Sequence, residues 1–187
     1  MSVDPGKCTD EELAAEAARE SSDGPAFVAI VDRFRQRVWR ICYRLLNNEQ
    51  DANDAAQEVF LRLFLHRGDF AGRSKYATWV HGIAVRTCLT LRRSRGRRQR
   101  HENVAADTQW ESQQPARGDA PPGLAMDLLN MLEMLDEEDR AMLLLKHAEG
   151  YEYEELAAIF ELSVSACKMR LSRARDKLQH RYAEHKP

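Results

Sequence analysis

Apolar residues recur at three- and four-residue spacing along most of the chain. Phe27, Ile30, Val31, Phe34, Val38, Ile41 and Leu45 form one stripe, closed by the pair Asn47-Asn48. Ala55, Ala56, Val59, Phe60, Leu63 and Phe64 form a second that stops near Gly68, and Trp79, Val80, Ile83, Ala84, Thr87 and Leu91 form a third. No segment alternates in the manner of a strand. Three helices that each bury one stripe make a compact bundle.

After Arg100 the pattern disappears. Residues 101–123 are rich in Gln, Asp, Ala and Pro and end in Ala120-Pro121-Pro122-Gly123, which reads as a flexible linker. Trp110, its large apolar residue, is either a solvated outlier or a docking point for a partner. Helical spacing resumes with Leu124, Leu128, Leu129, Leu132 and Leu135, then Met142, Leu143 and Leu145. Asp136 precedes Asp139 by three, an N-cap in the style of a capping box, and Gly150 ends that helix. Leu156, Ala157, Ile159 and Phe160 mark a short helix, and Val164, Cys167, Leu171, Ala174 and Leu178 mark a last one. The expectation is an all-α chain of two small helical domains. Its parts are an acidic extension over 1–26, a first domain over 27–100, a linker over 101–123 and a second domain over 124–182.

Charge changes this picture. The net charge of −2 conceals segregation: seven arginines and no acid between Arg86 and His101, and six Lys or Arg against Asp176 between Ser165 and Arg181. Two basic blocks in a near-neutral chain point to a polyanion touched at two places. No apolar run has the length of a membrane span, and the start is acidic where a signal peptide is basic. Cys8, Cys42, Cys88 and Cys167 lie far apart with no C-x-x-C pair, so the expectation is a reduced, cytoplasmic protein without metal or cofactor.

Residues 152–179 read as a helix-turn-helix: a short helix, a tight connection through Glu161-Leu162-Ser163, and a longer basic helix. The last stripe turns inward, which leaves Ser165, Lys168, Met169, Ser172, Arg173 and Asp176 outward. Ser163 serves as cap, with the positive helix end toward phosphate. The bland alternative is a solvated basic face on a plain helical hairpin. The turn lacks the usual Gly, so Glu161 or Leu162 must take the required geometry.

Arg92, Arg93, Arg95, Arg97, Arg98 and Arg100 continue the third helix, where Gly96 is expected to fray it. Their density suits phosphate contacts. Just before them Phe70, Tyr76 and Trp79 are interleaved with Arg67, Arg73 and Lys75, as a single strand with unstacked bases would require. Trp79 is expected in the core and Tyr76 as the stacking face. Asp51, Asp54 and Glu58 share a helix face. Capping by Asp51 and a polar patch for a partner explain them better than metal or catalysis, since no Glu-x-x-His accompanies them.

These residues also carry a resemblance. Asp51-Ala-Asn-Asp54-Ala-Ala-Gln57-Glu58-Val-Phe60-Leu-Arg62-Leu-Phe64 resembles the core-binding helix of extracytoplasmic-function sigma factors. Phe70-Ala-Gly-Arg-Ser-Lys-Tyr76-Ala-Thr78-Trp79 is similar to their melting and downstream-element segment. Leu135-Asp-Glu-Glu-Asp-Arg140, Glu149-Gly150-Tyr-Glu-Tyr153 and Lys168-Met-Arg170-Leu-Ser172-Arg173 resemble their second domain, in the family's order and spacing. The resemblance implies that Asp54, Gln57, Glu58 and Arg62 meet core RNA polymerase. It implies that Arg73, Ser74, Lys75 and Tyr76, with Arg86, Arg92 and Arg93, serve the downstream element and its melting. It implies that Ser165, Lys168, Met169, Ser172 and Arg173 read the upstream element of promoter DNA, and that the linker threads into the polymerase.

An anti-sigma protein is a further partner of such proteins, and a monomer is expected for the free chain. Three departures stand out: Glu152 where Ser or Thr is usual, Ser165-Ala166-Cys167 for Gly-Thr-Val, and Arg86 for Asn. The rival readings are a stand-alone dimeric helix-turn-helix regulator and a helical metal-dependent hydrolase built on Asp51, Asp54 and Glu58.

Overall fold

The computed structural model describes residues 8–20, 24–103 and 131–184, and they are helical with no strand among them. They form two compact units, one built mainly from the chain up to Leu91 and the other from the chain after it. The helices are α1 (Asp10–Ala17), α2 (Pro25–Leu46), α3 (Glu49–Leu65), α4 (Tyr76–Asn103), α5 (Glu137–Ala148), α6 (Tyr153–Phe160) and α7 (Val164–Glu184).

In the first unit α2 packs along α3, and α1 packs on α2. The first stripe behaves as its spacing requires: Ile30, Phe34, Val38, Ile41 and Leu45 are buried, as are Ala52, Ala55, Val59 and Leu63 of α3 and Val80, Ala84 and Cys88 of α4. Each large aliphatic side chain buried in this way contributes roughly 1.5–3 kcal/mol. The turn between α2 and α3 is two residues long. Asn47 takes the left-handed conformation (φ 53°) and its N–H closes on Tyr43 O at 2.8 Å. Asn48 then returns to extended backbone and caps α3, accepting the Asp51 N–H at 3.0 Å. The cap is therefore Asn48 and not Asp51, because the helix begins at Glu49 and Asp51 already lies in its first turn.

From Thr9 onward the acidic stretch is helical and packed. Thr9 and Glu12 form a capping box for α1, and Leu13, Ala14 and Ala17 are buried. Glu20 carries the same chemistry onward. Gly24 offers α2 no side-chain cap, and the Glu20 carboxylate accepts the N–H groups of Ala26 and Phe27 at 3.0–3.3 Å. Much of the acidity of this stretch thus neutralises helix N-termini. α4 passes through Gly96 without ending and reaches Asn103, so the expected fraying is absent; one Gly costs a helix only about 1 kcal/mol. The rest of the linker, with Trp110, and the start of the second domain, with Leu124, Leu128 and Leu129, lie outside the described residues.

The second unit carries α5, α6 and α7. Asp136 occupies the N-cap position of α5 without a side-chain cap bond. Gly150, at φ 73°, reverses the chain after α5 as expected. Arg140 is buried at the start of α5, where its guanidinium donates to Leu132 O at 2.8 Å and Leu135 O at 3.4 Å. Burial holds its basicity below the ordinary arginine value. Glu152 stands at the N-cap of α6, where its N–H donates to the Glu155 carboxylate at 2.9 Å, the reciprocal bond of a capping box. Glu161 takes the left-handed turn at φ 56°, and its N–H and that of Leu162 both close on Ala157 O. A side chain in that region costs about 1–2 kcal/mol. Glu161→Gly is therefore expected to raise the stability of the second unit by about 0.5–1 kcal/mol, part of the gain being offset by the looser unfolded chain, and Glu161→Val to lower it. Thermal unfolding followed by circular dichroism measures both.

Candidate functional site

Three surfaces gather the side chains singled out in the sequence. The first is the outer face of α3, opposite Val59 and Leu63. Asp54 and Gln57 are exposed there, and Glu58 accepts from Arg62 Nε at 2.7 Å, one turn away, with both side chains about 40% exposed. An i,i+4 pair of this kind adds only about 0.3–0.5 kcal/mol, so both groups can exchange it for a partner. Leu61 and Leu65 continue the same face in the open, 53% and 64% exposed. Asp51 is instead half-buried, its N–H held by Asn48. Among the described residues no three His, Cys, Asp or Glu side chains come together as metal ligands.

The second surface is the loop before α4. Gly72 bends it at φ 67°, a conformation other residues avoid. Arg73 and Lys75 are exposed and Ser74 is half-buried, its hydroxyl donating to Lys75 O at 3.2 Å. Tyr76 corrects the expectation from sequence. It is 1% exposed and packs edge-on against Phe34 at 5.9 Å and Phe70 at 5.1 Å, with Trp79 5.6 Å away. Burial, and then Asp10, push its phenol well above the ordinary tyrosine range. Trp79 is the more open ring of the two. Tyr76 continues the stripe of Trp79 and Val80 by one turn, and Phe34 of α2 and Phe70 of the loop close over it.

Arg67 is also spoken for. Its guanidinium donates to Ala17 O, Phe64 O and Glu20 O and lies 4.2 Å over the Phe64 ring, so it is engaged within the fold. Further along α4, Arg86 is exposed, Arg92 is half-buried, and Arg93 keeps about half of its side chain in water while pairing with Glu138 at 2.7 Å.

The third surface belongs to α7. Ser163 caps the helix, its Oγ accepting the Ala166 N–H at 3.1 Å. Ser165, Lys168, Met169, Ser172, Arg173 and Asp176 are all exposed, while Cys167, Leu171 and Ala174 are buried. Met169, at 53%, is a large apolar side chain held in water. Two residues outside the expected set fix this helix. Arg170 donates through Nε to Asp139 and through Nη1 to Glu138 at 3.0 Å, tying α7 to α5. Burial alone would lower the basicity of Arg170; hydrogen bonds and charge from Asp139 and Glu138 more than offset it and hold the guanidinium charged. Asp139, 8% exposed, is therefore a partner of Arg170 and not a member of a capping box with Asp136. Tyr153 is the other: Lys146 and Lys168 lie over its ring at 4.6 and 5.3 Å, and Lys146 also meets Glu152 at 3.1 Å.

A polar helix face, a glycine-bent loop rimmed with cations and an exposed, capped basic helix thus occupy one chain. Residues 30–98 match the family Sigma-70 region 2, and residues 125–178 match Sigma-70, region 4. The chain is 27% identical over 176 residues to the RNA polymerase sigma-H factor of Pseudomonas aeruginosa, covering 89% of this chain and 90% of that one. It is 29% identical to the ECF RNA polymerase sigma factor SigW of Bacillus subtilis, covering 86% and 90%.

The chain belongs to the extracytoplasmic-function sigma factors.

Two solved structures share the fold: CnrH in complex with the cytosolic domain of CnrY (TM-score 0.64, 23% identity, 95% of this chain and 99% of that one), and the sigma factor RpoE in complex with the anti-sigma factor NepR from Bartonella quintana (0.62, 22%, 86% and 98%). As a sigma factor the chain directs transcription initiation: its region 2 carries the α3 face and the loop, and its region 4 carries the helix-turn-helix. No described helix is long and apolar enough to cross a membrane.

Proposed function

We propose that this sigma factor divides its work among the three surfaces, without chemistry of its own. Asp54, Gln57, Glu58 and Arg62 meet core RNA polymerase. The loop Gly72–Lys75 takes a base flipped from the non-template strand. Arg86, Arg92 and Arg93 follow the phosphates beside it, and Ser165, Lys168, Met169, Ser172 and Arg173 read the upstream element. The observation that carries the reading is the outward, unburied set on α7, set on a helix whose inner face is buried and whose N-terminus is capped by Ser163. Short polar and cationic groups so placed fit a major groove. Arg173 is the most informative of them, since it is exposed on that face beside buried Ala174.

The family resemblance extends the reading to an anti-sigma partner for a cytoplasmic, monomeric sigma factor, as RpoE is known in complex with the anti-sigma factor NepR. The stand-alone regulator would instead need a dimer seam to match a palindrome.

Transcription from a randomised promoter library by reconstituted holoenzyme tests the assignment. Arg173→Ala is expected to cost about 1–3 kcal/mol and to relax preference at one upstream position. Replacing Arg92 and Arg93 together is expected to weaken open complexes with the upstream preference unchanged. An Arg173→Ala variant with intact preference and activity, beside an Arg92/Arg93 variant that shifts the upstream preference, would overturn the placement of the recognition helix.

A further inference from the structure

The N-terminus of α4 has a capping problem that its own sequence does not solve. The first N–H groups of a helix have no partner within it and call for an acceptor. The residue before α4 is Lys75, whose side chain carries donors only. The Ser74 hydroxyl one residue earlier is turned to Lys75 O. The acceptor comes instead from α1, sixty-five positions back in the chain: Glu11 Oε1 takes the Tyr76 N–H at 3.0 Å. A carboxylate at that place also meets the positive end of the longest described helix. The bond from Tyr76, first among its causes, holds the Glu11 carboxyl below the usual carboxylate range.

α1 is built to hold Glu11 in position. Its first turn is locked by the Thr9–Glu12 capping box. Arg33 of α2 grips its start, donating to Asp10 at 2.6 Å and to Cys8 O at 3.1 Å. Arg67, after α3, grips the carbonyls at and beyond its end. On the far side of the same peptide the Tyr76 ring is fixed by Phe34, Phe70 and Trp79. The loop Gly72–Lys75 therefore ends at a residue held twice, by its amide and by its ring, while Arg73 and Lys75 stay exposed.

On the reading above, in which this loop takes a flipped base, we propose that Glu11 is a positioning residue for promoter opening: it fixes the shape of the loop through the Tyr76 amide and touches no DNA itself. A preformed loop captures a base without first paying to order itself, so loosening one end should slow capture while leaving the other surfaces alone.

The experiment uses holoenzyme reconstituted with the full chain. Glu11→Ala, Glu11→Gln and a loop variant, Arg73→Ala with Ser74→Ala, are compared for core-polymerase affinity, thermal midpoint, upstream and downstream preference in a promoter library, and strand opening by permanganate reactivity of unpaired thymines. Glu11→Ala is expected to lower the opened fraction about fivefold and to blunt the downstream preference, the size of effect one lost charge-assisted hydrogen bond gives. Glu11→Gln keeps an acceptor and is expected to stay within about twofold of the parent. Core affinity and upstream preference stay unchanged in both. If the loop variant loses opening and Glu11→Ala does not, the role of Glu11 is wrong. If Glu11→Ala loses core affinity, upstream preference and opening in equal proportion, its effect is general unfolding and the positioning role is likewise wrong. If the loop variant opens promoters with unchanged downstream preference, the assignment of the loop itself fails, and the proposal with it.

Discussion

Acidifying the protein from pH 7 to pH 4 is expected to remove on the order of 3 kcal/mol from the stability of the first unit through His81 alone. His81 is 8% exposed on α4, its ring 6.2 Å from that of Phe34. Burial, and then the nearby charge of Arg37, lower its pKa from 6.5 to about 4. In the unfolded chain the imidazole takes a proton as the pH falls through 6.5; in the fold it resists until about 4. Between those values the unfolded state binds more protons, so stability rises with pH across the window. It is complete above the unfolded pKa and is lost as pH falls toward the folded one. Denaturant titrations at pH 4, 5, 6 and 7 measure the slope. His81→Gln, which cannot titrate there, is expected to flatten it by that amount. An equal slope in the variant would assign the pH dependence to other groups.

The second large effect is expected at Arg170. Its removal strands the Asp139 carboxylate, which is nearly inaccessible to water and loses its cationic partner. Removing one member of a buried pair costs about 3–5 kcal/mol, and Arg170 keeps a third of its side chain in water, so about 2–4 kcal/mol is expected for Arg170→Met. In a small helical domain that is a large share of the whole. The variant is expected to lose upstream-element binding by unfolding, although Arg170 lies outside the outward set on α7. Replacing both partners, Arg170→Met with Asp139→Leu, removes the stranded charge and is expected to recover most of the stability and the binding. Calorimetry and promoter binding measured on the single and double variants decide this. A single variant as stable as the parent would show that the pair does not hold α7 to α5.

Both effects come from residues that the helical pattern does not distinguish. His81 follows Val80 of the third stripe as a polar position outside it, and nothing local says that Phe34 and Arg37 of another helix will lie against it. Arg170 reads as one more cation in a basic helix. Its spacing from Leu171 places it on the flank of the buried stripe, which hints at a packed role, but its carboxylate partner lies thirty-one positions away. The capping box at Thr9 was legible, since Thr9-Asp-Glu-Glu12 carries its signature.

What the sequence by itself determined is what depends on neighbours within a few positions. The stripes of α2, α3 and α7, the reversals at Asn47 and Gly150, the Ser163 cap and the outward set on α7 all follow from helical periodicity and from side chains acting on their own backbone. The motifs in order were enough to point to the family. Only the tertiary structure decided which charges are surface and which are internal. Arg67 and Arg33 hold α1, Glu20 caps α2, and Glu11 caps α4. Tyr76 is covered by rings from two other parts of the chain. A charged or aromatic residue looks the same in sequence whether it faces water or a partner sixty positions away. The free energy that separates those fates, through desolvation and a paired hydrogen bond, exists only once the helices have met.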